Sequence, residues 1–117
     1  MQDFRNLLVW QKSHELVLEI YRVSRDFPRE ELFGLTSQMR RCAVSVPSNI
    51  AEGCGRGSDP DFARFLIIAM GSCSELEYQL LLSRDLGYVD TALHRPLEDK
   101  AIEIKKMLAA LIKRVQG

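Results

Sequence analysis

Apolar residues recur three and four positions apart through four stretches of the chain, and no stretch alternates with the two-residue rhythm of a strand. The first stretch predicts a helix from about Leu8 to Asp26, with Val9, Ser13, Leu16, Ile20, Val23 and Phe27 on one face and Trp10, Val17 and Tyr21 widening it. Phe27-Pro28 ends it, because the residue before a proline resists the α conformation. The second helix is expected from about Glu30 to Gly53, on a stripe of Leu32, Leu35, Met39, Cys42, Val46 and Ile50. Pro47 falls inside that stripe, removes a backbone donor and crowds the carbonyl of Ala43, at a cost of roughly 3 kcal/mol. A kink near Val46 is expected, with two shorter helices as the alternative. Gly53, Gly55 and Gly57 then terminate the helix.

The third helix is expected from about Asp61 to Leu86, capped by Ser58 or Asp59, with Pro60 in its first turn. Its core face is Phe62, Phe65, Leu66, Ala69, Cys73, Leu76 and Leu80, and Gly87 is the stop. The fourth is expected from about Thr91 to Val115, capped by Asp90 or Thr91. Its Leu97, Ala101, Ile104, Leu108, Leu111 and Val115 alternate four and three apart, a coiled-coil-like seam. Pro96 suggests that the regular helix begins only there. Four helices joined by short connections favour an all-α, antiparallel up-and-down four-helix bundle, one domain over residues 1–117.

Two of these helices carry more apolar surface than a lone bundle hides. On the second, Val44, Pro47 and Ala51 lie away from the main stripe; on the third, Ile67, Ile68, Tyr78, Leu81 and Leu82 do. Scattered surface hydrophobes are one reading. A subunit interface is the favoured one, since two apolar faces on one helix ask for two packing partners.

Composition narrows the function classes. The chain has 117 residues, 46% of them apolar and 27% charged, which is globular and large enough for a core without disulfides or metal. Sixteen basic and sixteen acidic residues balance, which argues against a tail-driven nucleic-acid binder but leaves room for a local patch. Cys42, Cys54 and Cys73 are odd in number and form no CxxC, and the N-terminal stretch has no apolar run of signal-peptide length; a reduced, cytoplasmic setting is expected. No window is read as approaching the ~20 apolar residues of a membrane span, and no membrane partner is expected.

Catalytic signatures are missing: no Glu-x-x-His, HExxH, GxSxG, Walker A or GxGxxG occurs, and His14 and His94 have no ligand spacing. No enzyme activity and no cofactor or metal is expected. GCGRGSD lacks the Gly-Lys-Ser/Thr ending and the preceding strand of a phosphate loop, so it reads as a helix terminator. Cys54, beside two glycines and near Arg56, reads as an ordinary loop thiol.

The most unusual pattern is polar. Gln38, Arg41, Ser45, Asn49 and Glu52 share one narrow face beside the core stripe of the second helix, with Glu75 and Gln79 of the third as candidate partners. A hydrogen-bonded network that sets helix register is the favoured reading, a recognition strip the other. Basic residues cluster around the turn between the second and third helices (Arg40, Arg41, Arg56, Arg64) and on the fourth helix (Lys105, Lys106, Lys113, Arg114). Repeated around a symmetry axis they would form a large positive surface, otherwise an ordinary solvated face.

The segments LLVWQKSHELVLEIY, FPREELFGLTSQMRRCAVSVPSNIAEG and FARFLIIAMGSCSELEYQL resemble the four-helix-bundle family known from intervening sequences of bacterial 23S ribosomal RNA genes. The distinctive parts are QxRR…SxxxNIAEG (Gln38, Arg40, Arg41, Ser45, Asn49, Glu52, Gly53) and GSxxELE (Gly71, Ser72, Glu75, Glu77). Cys42 stands where the family usually has alanine. The resemblance implies a left-handed four-helix bundle and, from some relatives, a ring-like homopentamer. A more distant similarity, to the accessory variability determinant of diversity-generating retroelements, implies binding of RNA or DNA together with a nucleic-acid-processing protein. Together with the residue patterns it gives the expectation of a self-associating module, or else a purely structural scaffold.

Overall fold

Two side-chain caps and one glycine set both ends of the third helix and the start of the fourth. The computed structural model describes residues 2–117. A short 3₁₀ turn, Phe4–Asn6, leads into α1 (Leu8–Ser24); a second, Arg29–Glu31, precedes α2 (Leu35–Cys54); α3 (Asp59–Asp85) and α4 (Thr91–Gln116) complete the chain. Ser58 Oγ takes the Asp61 N–H and Asp90 Oδ1 the Leu93 N–H, so both expected caps operate. Gly87 ends α3 in the left-handed region (φ +80°), where only glycine sits without steric cost. Among the described residues no strand occurs.

Several expected boundaries move. The first helix ends at Ser24, not Asp26. The second starts five residues after Glu30, because the chain makes a 3₁₀ turn and then leaves helical geometry at Gly34 (φ −113°, ψ −113°). Leu32 is therefore exposed and not part of the stripe, and Phe33 is 94% exposed. Glu31 Oε1 accepts the Leu35 N–H at 3.2 Å and stands in for a cap. Pro47 does not divide α2, which runs unbroken from Leu35 to Cys54. Nor does Pro96 delay α4: the Asp90 cap and the His94 N–H to Asp90 carbonyl bond close the first turn ahead of it.

The four helices pack around one core in which Ile20, Met39, Ile50, Leu66, Leu76, Leu80, Ile104 and Leu108 are all but inaccessible. Burying one such side chain stabilises by roughly 1.5–3 kcal/mol. Cross-helix bonds fix the directions. Ser45 meets Ser72 and Met39 meets Ser83, so α2 and α3 run antiparallel. Lys12 meets Glu103 and Glu19 meets Lys100, so α1 and α4 do too. At one end the Tyr88 hydroxyl donates to Glu31 Oε2 (2.9 Å) and ties the α1–α2 and α3–α4 connections together. At the other end Gly53 lets α3 close on α2: a Cβ there would lie 2.9 Å from Phe62 Cδ1 and 3.0 Å from Phe65 Cβ. Gly53 is thus a close-approach residue inside α2, one position before its last residue, not the terminator its place in the glycine run suggests.

Helix α3 is apolar on more than its core side, and its length and composition alone would fit a membrane span. That overturns the expectation that no window comes near one. The reason lies in its two apolar faces: Leu66, Ala69, Cys73, Leu76 and Leu80 are wholly buried, while Ile67, Ile68, Tyr78 and Leu81 are exposed.

Two glycines should behave oppositely. Gly53→Ala should lower unfolding free energy by about 1–3 kcal/mol through overpacking. Gly71→Ala, whose Cβ meets nothing within 4 Å, should raise it by about 0.5–1 kcal/mol. Urea unfolding of dilute protein checks both.

Candidate functional site

Three surfaces collect the side chains that the sequence singles out. The first is the outer face of α3. Ile67, Gly71, Ser74, Tyr78 and Leu81 step four, three, four and three, and all five are exposed. Tyr78 is 59% and Ile67 50% accessible, and Ile68 widens the stripe. At 1.5 Å per residue the stripe runs about 21 Å, with no charged residue in the seam between Arg64 and Asp85. On α2 the matching expectation holds only for Val44, which is exposed. Pro47 is buried in the bundle's own core, Ala51 is half-buried, and Leu82 packs against the core. The helix wheel misassigned them because α1 and α4 flank α2 and α3 and cover more than one stripe.

The second surface is a cleft between α2 and α3, about 410 Å³ in volume, lined by Gln38, Arg41, Cys42, Ser45, Ser72 and Glu75. Here the expected polar line is brought together only in part. Ser45 and Ser72 share a hydroxyl–hydroxyl bond of 2.8 Å, and Asn49 Nδ2 donates to the Ser45 carbonyl (2.8 Å) and hydroxyl (3.0 Å). Gln79 is 3% exposed; its Nε2 donates to Glu75 Oε2 at 3.4 Å, while its Oε1 is buried without a partner. Glu52 turns away to Arg56 (3.1 Å), and no ion pair joins Arg41 to Glu52 or Glu75 among the described residues. Ser72, which supplies the cross-helix bond, stood in the sequence as part of the GSxxELE resemblance and not in the polar line. Burial, then the Glu75 carboxylate that accepts from its S–H, push the Cys42 thiol up to about 11.

The third surface is the end of the bundle at the α2–α3 turn. Arg56 and Arg114 line one cavity of about 590 Å³. The Arg56 and Arg64 guanidinium carbons lie 4.9 and 4.6 Å from the centre of the same Phe65 ring, a cation–π arrangement. Arg56 also pairs with Glu52 and Arg64 with Asp61 (3.4 Å). Lys106, Lys113 and Arg114 have no ion-pair partner among the described residues. Arg40 and Arg41 do not surround this turn: Arg41 lies thirteen helical positions, about 20 Å, before the end of α2 at Cys54. Arg40 is half-buried in a structural role. Its Nε donates to Ser24 Oγ (2.9 Å), Nη2 to the Tyr21 carbonyl (3.4 Å), and its guanidinium covers the Tyr21 ring. Lys105 is held across α3–α4 by Glu77 at 3.1 Å. Cys54 is not a loop thiol; it closes α2, is buried, and burial and then Asp3 push its pKa up. Among the described residues no three His, Cys, Asp or Glu side chains converge as a metal site would require.

A family model for the 23S rRNA-intervening sequence protein matches residues 5–110. The chain belongs to the 23S rRNA-intervening sequence protein family. A crystal structure of a protein with unknown function from the S23 ribosomal protein family of Bacteroides thetaiotaomicron VPI-5482 is similar at 29% identity. The likeness covers 91% of this chain and 99% of that one, with a TM-score of 0.84. No curated protein matches. The family likeness and the four-helix fold expected from the motifs therefore both hold.

Three outcomes test the assignments above. Arg40→Ala should lower stability by about 1.5–3 kcal/mol, the range for lost hydrogen bonds of a charged group, and leave any nucleic-acid affinity unchanged. Cys42 should alkylate with iodoacetamide at pH 8.5 roughly tenfold more slowly than a free thiol, since fewer thiolates outweigh their greater nucleophilicity. Glu75→Gln removes a group that raises its pKa and should speed the reaction.

Proposed function

We propose that this family member is a non-enzymatic, cytoplasmic module that assembles with copies of itself, in the homopentameric ring expected from the resemblance, and holds RNA or DNA, or a nucleic-acid-processing protein, on its pooled basic ends. The observation that carries the self-association is the exposed four-three stripe on α3, from Ile67 to Leu81. A 4-3-4-3 seam is the spacing with which one helix packs against another. It lies on a helix whose opposite side is already used by the core. The stripe is apolar at Ile67, Tyr78 and Leu81 and small at Gly71 and Ser74, where a partner helix could come close, and exposed apolar patches of this kind mark interfaces. Val44 adds to the exposed apolar surface from α2.

Support for the nucleic-acid half comes from Arg56, Arg64, Lys113 and Arg114, which share one end of the bundle. Glu52 and Asp61 at the same end pair with Arg56 and Arg64, with Asp59 beside them. That leaves Lys113 and Arg114 as the cations there without an ion-pair partner among the described residues. In a ring whose axis follows the helices, every copy would turn those two the same way. A scaffold without nucleic acid is the second reading. It is favoured by the internal use of Arg40, Arg56, Arg64 and Lys105.

Light scattering coupled to size-exclusion chromatography tests the assembly: the wild type should run as a multimer and Tyr78→Asp as a folded monomer. A wild type that stays monomeric at high concentration removes the proposal. For the basic end, affinity for structured RNA or duplex DNA should fall steeply with salt, and Lys113→Gln with Arg114→Gln should reduce the salt slope by about one to two phosphate contacts per site. No binding at low salt leaves the scaffold reading.

A further inference from the structure

The α2–α3 cleft holds two uncompensated charges of opposite sign. Arg41 is exposed and offers five N–H donors, with no carboxylate partner among the described residues. Glu75 is exposed on the facing helix, with no cation partner among them. Both line the same cleft, yet no ion pair joins them. Two helices that pack this closely could have been joined by that pair, as α3 and α4 are by Glu77 and Lys105.

The rest of the cleft also has hydrogen-bonding capacity to spare. Ser45 and Ser72 have two hydroxyl protons between them and use one on each other, and the Asn49 amide supplies a further donor to Ser45. One O–H is left for something else. Gln38 adds an exposed amide at the mouth. One turn along α3 from Glu75, to which its amide nitrogen donates, Gln79 has its carbonyl oxygen buried without a partner. Cys42 lines the cleft wall, its S–H already given to Glu75. At about 410 Å³ the volume lies near the bottom of the roughly 300–1,000 Å³ range of small-molecule sites. It suits a molecule the size of an amino acid and is small for a nucleotide.

We propose that the cleft between α2 and α3 is a binding site for a small zwitterion of the α-amino-acid class, whose carboxylate meets Arg41 and whose ammonium meets Glu75. Ser72 and Gln38 hydrogen-bond the ligand's polar edges. The site is separate from the basic end of the bundle and does not depend on self-association, although Glu75 borders the α3 stripe.

Calorimetry and thermal shift on the full chain test this with free amino acids, each compared with its N-acetyl and amide forms, which lose one charge apiece. The free amino acid that fits should bind, and each blocked form should bind at least roughly tenfold more weakly, as expected when one partner of a charge pair is removed. Arg41→Gln and Glu75→Gln should each abolish the preference for the doubly charged form, and Lys106→Gln should change nothing. Running the same titrations on Tyr78→Asp separates the outcomes: binding there with loss of the multimer keeps the cleft site and its independence of assembly. The proposal fails if no standard amino acid binds at about 10 mM, weaker than any affinity worth assigning. It fails equally if the N-acetyl form binds as well as the free one, which would mark a simple anion site on Arg41. Binding that survives in both cleft variants would also overturn it.

Discussion

The close approach of α2 and α3 is the constraint from which most of this molecule follows. Gly53 has no side chain, so Phe62 and Phe65 lie against its α-carbon. Along the same seam the two helices are near enough for the Ser45 and Ser72 hydroxyls to touch, and for Ser83 to reach Met39. Small and polar groups fill a seam that larger apolar side chains would prise apart. The cleft forms where they leave space. The outer side of α3 is free for another partner because its inner side is fully committed.

Much of this architecture was legible in the chain. The three-and-four spacing located every helix, because a core stripe is written in residues only the core can want. The caps at Ser58 and Asp90 were readable for the same reason: a short oxygen-bearing side chain before an apolar run has a local function. What could not be read was tertiary. The start of α2 moved to Leu35 because the backbone departs at Gly34, and nothing in the periodicity of Leu32 says so. Pro47 lies off the main stripe of its own helix, yet the neighbouring helices bury it.

The candidate site was less legible than the fold. A wheel put Gln38, Arg41, Ser45, Asn49 and Glu52 on one line and suggested a single network. Side-chain length then divided it. Ser45 and Asn49 are short and stay in the seam, Glu52 reaches along its own helix to Arg56, and Arg41 extends into the open cleft. The arginines divided in the same way. Adjacent Arg40 and Arg41 point about 100° apart, one against α1 and Tyr21, the other toward α3. Two residues with the same chemistry therefore have different tasks, one holding the bundle and one left over.

Phe65 carries a guanidinium from the turn and another from its own helix. Most surface arginines sample many rotamers and must surrender that freedom whenever something docks. These two have already surrendered some of it during folding, since each guanidinium lies over the buried Phe65 ring and is leashed to a carboxylate about one turn away. Whatever anion meets that end of the bundle encounters a stiff fork, and the entropy of arranging it belongs to the folding reaction.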